Sequence, residues 1–182
     1  MNARPDVPDT PDRTDAIARD AQLSDDGAYR YSLTRRWGPG RHVTFVMLNP
    51  STADALIDDP TIRRCIGFAR AWGFGALRVV NLYALRSTDP KGLWNHPHPV
   101  GGAENDDAIL EALRNGGMVV AAWGANARAQ RVAAFRELAD QVGVRVWALK
   151  VTKAGAPGHP LYLPASAEPT LYDFDAALGG LR

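Results

Sequence analysis

The sequence predicts a three-layer α/β/α domain built on a four-stranded, mostly parallel sheet. Three observations predict it. Four short apolar runs, at 42–48, 76–80, 118–123 and 144–149, have the length of strands, and the first is apolar on both faces, as a strand covered on both sides is. Stretches between them carry apolar residues at helical spacing. The strand–helix–strand segments are joined by short connections, and such units place their strands parallel. Residues 27–182 are therefore expected to form one α/β domain, preceded by a flexible acidic tail over 1–26.

The tail carries Pro5, Pro8 and Pro11 among many Asp and has no apolar periodicity, beyond a short helical turn expected near 16–21. Tyr29-Arg30-Tyr31-Ser32-Leu33-Thr34 alternates as a half-buried strand does, and Trp37-Gly38-Pro39-Gly40 is turn chemistry. With the run at 42–48 these read as an N-terminal β-hairpin arm whose second strand enters the core. Asp59-Pro60 opens a helix, with Asp as cap and Pro at the first helical position. Ile62, Cys65, Ile66, Ala69 and Trp72 follow at helical spacing, and Gly73 and Gly75 end it. A second strand at 76–80 ends in Asn81, and 87–100 reads as a long polar loop. A helix at 104–114, a strand at 118–123, a helix at 127–142 and a strand at 144–149 follow. Residues 150–164 form another loop, and a short helix near 172–178 covers the sheet.

Composition narrows the function. Hydrophobic residues make up 46%, enough for a full core. A single cysteine, Cys65, excludes an internal disulfide framework and any multi-cysteine metal site, and its place on the inward helix stripe makes it a core residue. The net charge of +1 hides an asymmetry. Residues 1–26 hold three Arg and seven Asp, whereas 27–182 hold 18 basic against 13 acidic residues. The domain is mildly basic, which permits a phosphate-bearing partner but falls short of a dedicated nucleic-acid binder. No apolar run is long enough to span a membrane, and no signal pattern opens the chain. The expectation is a cytoplasmic protein without membrane association.

In a parallel sheet the C-terminal strand ends share one rim, where open α/β folds bind ligands. The first strand ends in Asn49-Pro50-Ser51-Thr52, with Asp54, Asp58 and Asp59 close behind. The second delivers Asn81, Tyr83 and Arg86, the third Trp123, Gly124 and Asn126, and the fourth Lys150, Thr152 and Lys153, with His159 beyond. Asn49 and Asn81 follow apolar runs directly. Each amide offers a donor and an acceptor, which suits reading the edge of a base, and equally suits tying a loop to its neighbours. Helix capping accounts for Asp59, leaving Asp54 and Asp58 as candidates to activate a water. Arg63 and Arg64 either contact phosphate or lie solvated on the helix. His159 can donate to a developing anion, and Leu161 and Tyr162 form an apolar tip that can enter a stack. His96 and His98 lack the spacing of a helical metal pair, and no metal or cofactor is expected.

Two resemblances follow from these residues. Met47–Asp54, Asp58–Arg64, Val80–Ala84, Ala122–Gly124 and Gly158–Tyr162 resemble the pattern of an uncharacterised bacterial family, domain of unknown function 1643. More remotely, Leu48-Asn49-Pro50-Ser51, the strand-end Asn81, Val120–Gly124 and His159-Pro160-Leu161 resemble motifs of the uracil-DNA glycosylase superfamily. That resemblance implies a parallel sheet in the order 2-1-3-4 and hydrolysis of an N-glycosidic bond in a nucleobase- or nucleotide-containing substrate, DNA included. Asn49, with Asp54 or Asp58, would orient water. Asn81 would read the base, and His159 would stabilise the leaving base. From the strand-end reading rather than the resemblance, Ser51, Thr52, Arg63, Arg64, Tyr83, Trp123, Gly124, Leu161 and Tyr162 are expected to complete the substrate site. The alternatives are another base- or nucleotide-modifying enzyme of this fold and a non-catalytic nucleotide- or nucleic-acid-binding module.

Overall fold

A computed structural model describes residues 17–51 and 57–179. At its centre lies β3 (His42–Met47), buried along its whole length. It pairs in parallel with β4 (Ala76–Asn81) on one side and β5 (Met118–Ala121) on the other. β6 (Val146–Ala148) extends the parallel set beyond β5. Antiparallel strands flank it: β1 (Ala18–Leu23) and β2 (Arg30–Arg36) outside β4, and β7 (Thr170–Leu171) outside β6. The result is a mixed α/β fold with a seven-stranded, partly parallel sheet in the order β1-β2-β4-β3-β5-β6-β7. Among the described residues there are thus seven strands rather than the expected four.

Among the described residues, five helices cover the sheet: α1 (Pro60–Ala71), α2 (Pro90–Asn95), α3 (Ala103–Asn115), α4 (Ala129–Val142) and α5 (Phe174–Gly179). Alternation along β3 divides the core. Val43, Phe45 and Met47 pack with Ile62, Cys65 and Phe68 of α1 on one face. Val46 packs with Ile109 and Leu113 of α3 and Phe135 of α4 on the other. Side chains two apart on a strand share a face, so one central strand anchors both layers. Local chemistry sets the helix ends as expected. The Asp59 carboxylate accepts from Ile62 N at 2.8 Å with Pro60 in the first turn, and Gly143 closes α4 at φ 72°.

The N-terminal arm is built differently from the expectation. β2 does not pair with β3, because both edges of β3 are already taken by parallel neighbours. It runs antiparallel along β4, with Leu33 opposite Val79, and its hairpin partner is β1. Residues 18–23 are therefore a strand, in place of the helical turn and the later part of the flexible tail. Residues 1–16 lie outside the described residues. The loop expected at 87–100 also contains α2, whose cap Asp89 accepts from Lys91 N at 2.9 Å.

The crossover from β2 to β3 packs against Gly75. Its carbonyl accepts from Trp37 N and Gly38 N, both at 2.9 Å, and a Cβ there would lie 2.1 Å from Pro39 O. Backbone cannot yield as a side-chain tip can. Gly75→Ala is expected to cost about 1–3 kcal/mol of stability, read from urea unfolding.

His42 starts β3 at the sheet end opposite the strand-end rim and is 6% exposed. Burial, reinforced by the positive charge of Arg78, holds its imidazole below the ordinary 6.5. The unfolded chain therefore takes up the proton first. This contribution to stability is fully present above about pH 6.5 and is lost as the pH falls below it, toward the lower folded value. His159 contributes with the same sign. His42→Gln is expected to flatten part of the fall in unfolding free energy as the pH drops below about 6.5, measured by urea titration.

Candidate functional site

Because β4, β3, β5 and β6 run parallel, their C-terminal ends meet on one rim. A cleft of about 510 Å³ opens there. β3 contributes Met47 and the following Leu48 and Asn49; the segment after β5 contributes Trp123, Gly124 and Asn126. The loop after β6 contributes Gly158, His159, Leu161 and Tyr162. An adjoining recess of about 150 Å³ shares Met47, Asn49, Thr61, Thr88 and His159 with the cleft and adds Arg30, Ser51, Asp59 and Asn81.

Asn81 is the most informative of these. Its residue is 1% exposed, it borders the recess, and its Nδ2 is buried with no hydrogen-bond partner among the described residues. A buried donor without a partner costs about 1–3 kcal/mol, so a ligand acceptor at this place is worth more than an ordinary hydrogen bond. Its backbone is held firmly: Asn105 on α3 is fully buried and donates from Nδ2 to the carbonyls of Asn81 at 3.1 Å and Leu82 at 3.3 Å.

Asn49 ties the loops at the strand ends, as one of its two expected parts requires. Its Nδ2 donates to Ser87 O at 2.8 Å and Pro50 O at 3.1 Å, stitching the two strand-end loops together. Its Oδ1 accepts no hydrogen bond from the described residues and remains available to the cleft.

His159 is fixed by the loop that carries it. Gly158 N donates to Lys150 O at 2.7 Å, and Pro160 begins a 3₁₀ turn over Pro160–Tyr162. Leu161 N donates to His159 Nδ1 at 3.3 Å, so the neutral ring carries its proton on Nε2. Burial lowers its proton affinity below the ordinary 6.5, with the Asp59 carboxylate pulling the other way. The imidazole is thus neutral near pH 7 and offers Nε2–H. Tyr162 packs against it with ring centroids 5.5 Å apart and is 81% exposed at the cleft lip.

Asp59 caps α1 and accepts from Ser51 Oγ at 2.9 Å. It faces Arg30, which is 3% exposed and whose pKa burial lowers to about 10 against the pull of Asp59. Arg30 remains charged at neutral pH, so the recess holds one charge of each sign.

The remaining predicted site residues lie elsewhere or only border the cleft. Asp58 lines neither the cleft nor the recess. It forms ion pairs with Arg35 at 2.7 Å and Arg19 at 3.3 Å. Arg63 donates to Asp58 O and Arg64 to Leu163 O, and both line a separate small groove on the outer side of α1. Tyr83 is buried away from the cleft, its hydroxyl accepting from Arg128 N at 3.3 Å. Trp123 is chiefly a core ring, edge-on to Phe135 and Tyr172. Gly124 sits at φ 72°, the left-handed conformation that turns the chain at the cleft wall. Thr52 and Asp54 lie outside the described residues. Arg30, Thr61, Thr88 and Asn105 were not anticipated as contributors to the rim. Among the described residues, no group of three or more His, Cys, Asp or Glu is arranged to hold a metal ion, and no helix is long and apolar enough to cross a membrane.

Fold and site together define a mixed α/β domain with a strand-end cleft. The chain belongs to the family described as "Protein of unknown function (DUF1643)", whose profile matches residues 30–161. The match runs from Arg30 to Leu161 and so contains Asn49, Asn81 and His159. No curated protein and no solved structure matches the chain.

Proposed function

We propose that the recess adjoining the strand-end cleft binds a nucleobase and that the protein hydrolyses the N-glycosidic bond of a base-bearing substrate, in the manner of the uracil-DNA glycosylase superfamily. The observation that carries this reading is the buried, unpartnered Asn81 Nδ2 at the recess. A base carbonyl supplies the missing acceptor. The order of the parallel strands, β4-β3-β5-β6, also supports it, being the 2-1-3-4 order of that superfamily.

In this mechanism the bond between the sugar carbon and the base nitrogen breaks, and its electron pair leaves with the base. His159 Nε2–H donates to the base oxygen on which the charge develops, while Asn81 Nδ2 holds the base edge. Water, accepted by Asn49 Oδ1, adds its oxygen to the sugar carbon, and its surplus proton passes through solvent to the base anion. Stabilisation of that anion in a water-poor recess supplies most of the rate. Asp58 has no direct part, since its carboxylate is engaged by Arg35 and Arg19.

The test is release of free base, or appearance of abasic sites, from uracil-, hypoxanthine- and mismatch-containing oligonucleotides and from the matching nucleosides. His159→Gln is expected to lower kcat by about 10²–10³-fold with a smaller change in KM. A second reading, a non-catalytic nucleotide-binding module, is favoured by one observation: among the described residues, both carboxylates near the rim, Asp58 and Asp59, are already engaged. Base binding without release of product selects that reading.

A further inference from the structure

The cleft differs from the recess in charge. None of its described lining residues is Lys, Arg, Asp or Glu. Its titratable side chains are His159, held neutral near pH 7 by burial, and Tyr162. Arg30 and Asp59 sit together in the recess and oppose one another, and Lys150, next to Gly158, does not line the cleft. Phosphate recognition ordinarily relies on Arg or Lys, or on backbone N–H groups at a helix start; the described lining offers no cation, and the start of α1 already holds the Asp59 carboxylate. What it offers is neutral polarity. Thr61, Thr88 and Asn126 line the cleft, and their side chains make no hydrogen bond with the described residues. Hydroxyl and amide groups of this kind match the hydroxyls of a sugar, since each can both donate and accept.

Resting on the base-reading role of Asn81, we infer that the substrate is a free nucleoside, its base in the recess and its sugar in the cleft, carrying no phosphate. A phosphoryl group placed in the cleft would lose hydration without gaining a counter-charge. A nucleic-acid strand, by contrast, is gripped through its phosphates and released by salt.

The deciding experiment is calorimetric titration of the full chain with uracil and hypoxanthine, their nucleosides, their 5′-monophosphates and a uracil-containing single-stranded oligonucleotide, at about 50 mM and about 500 mM salt. The expected result is that one nucleoside binds at least about tenfold tighter than both its free base and its monophosphate. Its affinity changes by less than about twofold with salt. Asn126→Ala, at a residue that lines the cleft and not the recess, is expected to weaken that nucleoside by about three- to tenfold and to leave the free base unchanged. A monophosphate or oligonucleotide that binds as tightly as the nucleoside overturns the inference. So does a nucleoside no tighter than its base. In both cases, binding of the free base that is lost in Asn81→Ala leaves the base-reading role standing. If no base, nucleoside or nucleotide binds, the base-reading role fails, and the inference fails with it.

Discussion

Asp58→Ala destabilises the domain by about 3–5 kcal/mol, lowering the urea midpoint with little change in the denaturant slope. The cause is Arg35. Its side chain is 0% exposed, on a strand that is sandwiched between β1 and β4. Arg35 Nε donates to Asp58 Oδ1 at 2.7 Å and Nη1 to Thr34 O at 2.9 Å, while Nη2 has no partner among the described residues. Removing the carboxylate leaves a full guanidinium charge in the interior with one backbone acceptor. That is far costlier than losing a surface ion pair, for which about 0–1 kcal/mol is usual. Arg19, more exposed and at 3.3 Å, contributes little, so Arg19→Ala is a mild control. Combining Asp58→Ala with Arg35→Met recovers most of the loss, because the second change removes the stranded charge and keeps the volume. A catalytic role for Asp58 predicts the reverse: stability intact and activity gone.

Asn81→Ala has the opposite profile. It weakens base binding by about 10- to 100-fold while altering stability by no more than about 1 kcal/mol. A buried asparagine such as Asn105 supports the fold through its hydrogen bonds to two carbonyls, and its loss takes a donor from Asn81 O and leaves Leu82 O with Arg131 Nε alone. Asn81 Nδ2 supports nothing in the protein itself, so truncation removes a desolvated donor rather than a bond. Calorimetry and urea unfolding on the same preparation read the two halves of this expectation. Large destabilisation with unchanged affinity would make Asn81 a structural residue.

The contrast between these two residues marks what the sequence makes legible. Asn81 ends a strand whose other residues, Arg78 apart, are Ala, Leu and Val, and an amide at that place is visible without coordinates. So are Asn49 and His159, each at the end of an apolar run or in a Pro-fixed loop. Asp58 is not legible in the same way, because its partner Arg35 is 23 residues earlier on a strand whose burial comes from β1 and β4. β1 itself reads Ala-Arg-Asp-Ala-Gln-Leu, almost wholly exposed, so no alternation betrays it and only pairing with β2 makes it a strand. The mistaken hairpin has the same origin. Sequence neighbours usually pair, but the competition of β4 and β5 for both edges of β3 is decided by the whole sheet. Two features were written in the chain all the same. Asp89-Pro90 repeats the cap chemistry of Asp59-Pro60 and opens α2. Asn105 lies on the stripe of Ala108, Ile109 and Ala112, and a polar residue on an apolar helix face points to a buried partner.

Base recognition at the recess requires the side-chain amide of Asn81 to meet the base, and nuclear magnetic resonance reads that amide directly. In ¹⁵N-labelled protein, the Nδ2 resonances of Asn81 are assigned by their loss in Asn81→Ala and followed during titration with uracil and hypoxanthine and their nucleosides. The prediction is a saturable shift of this amide together with His159 Nε2, leaving Asn105 Nδ2 in place. Saturable binding elsewhere on the protein, or titration to solubility with the Asn81 amide unmoved, would contradict it.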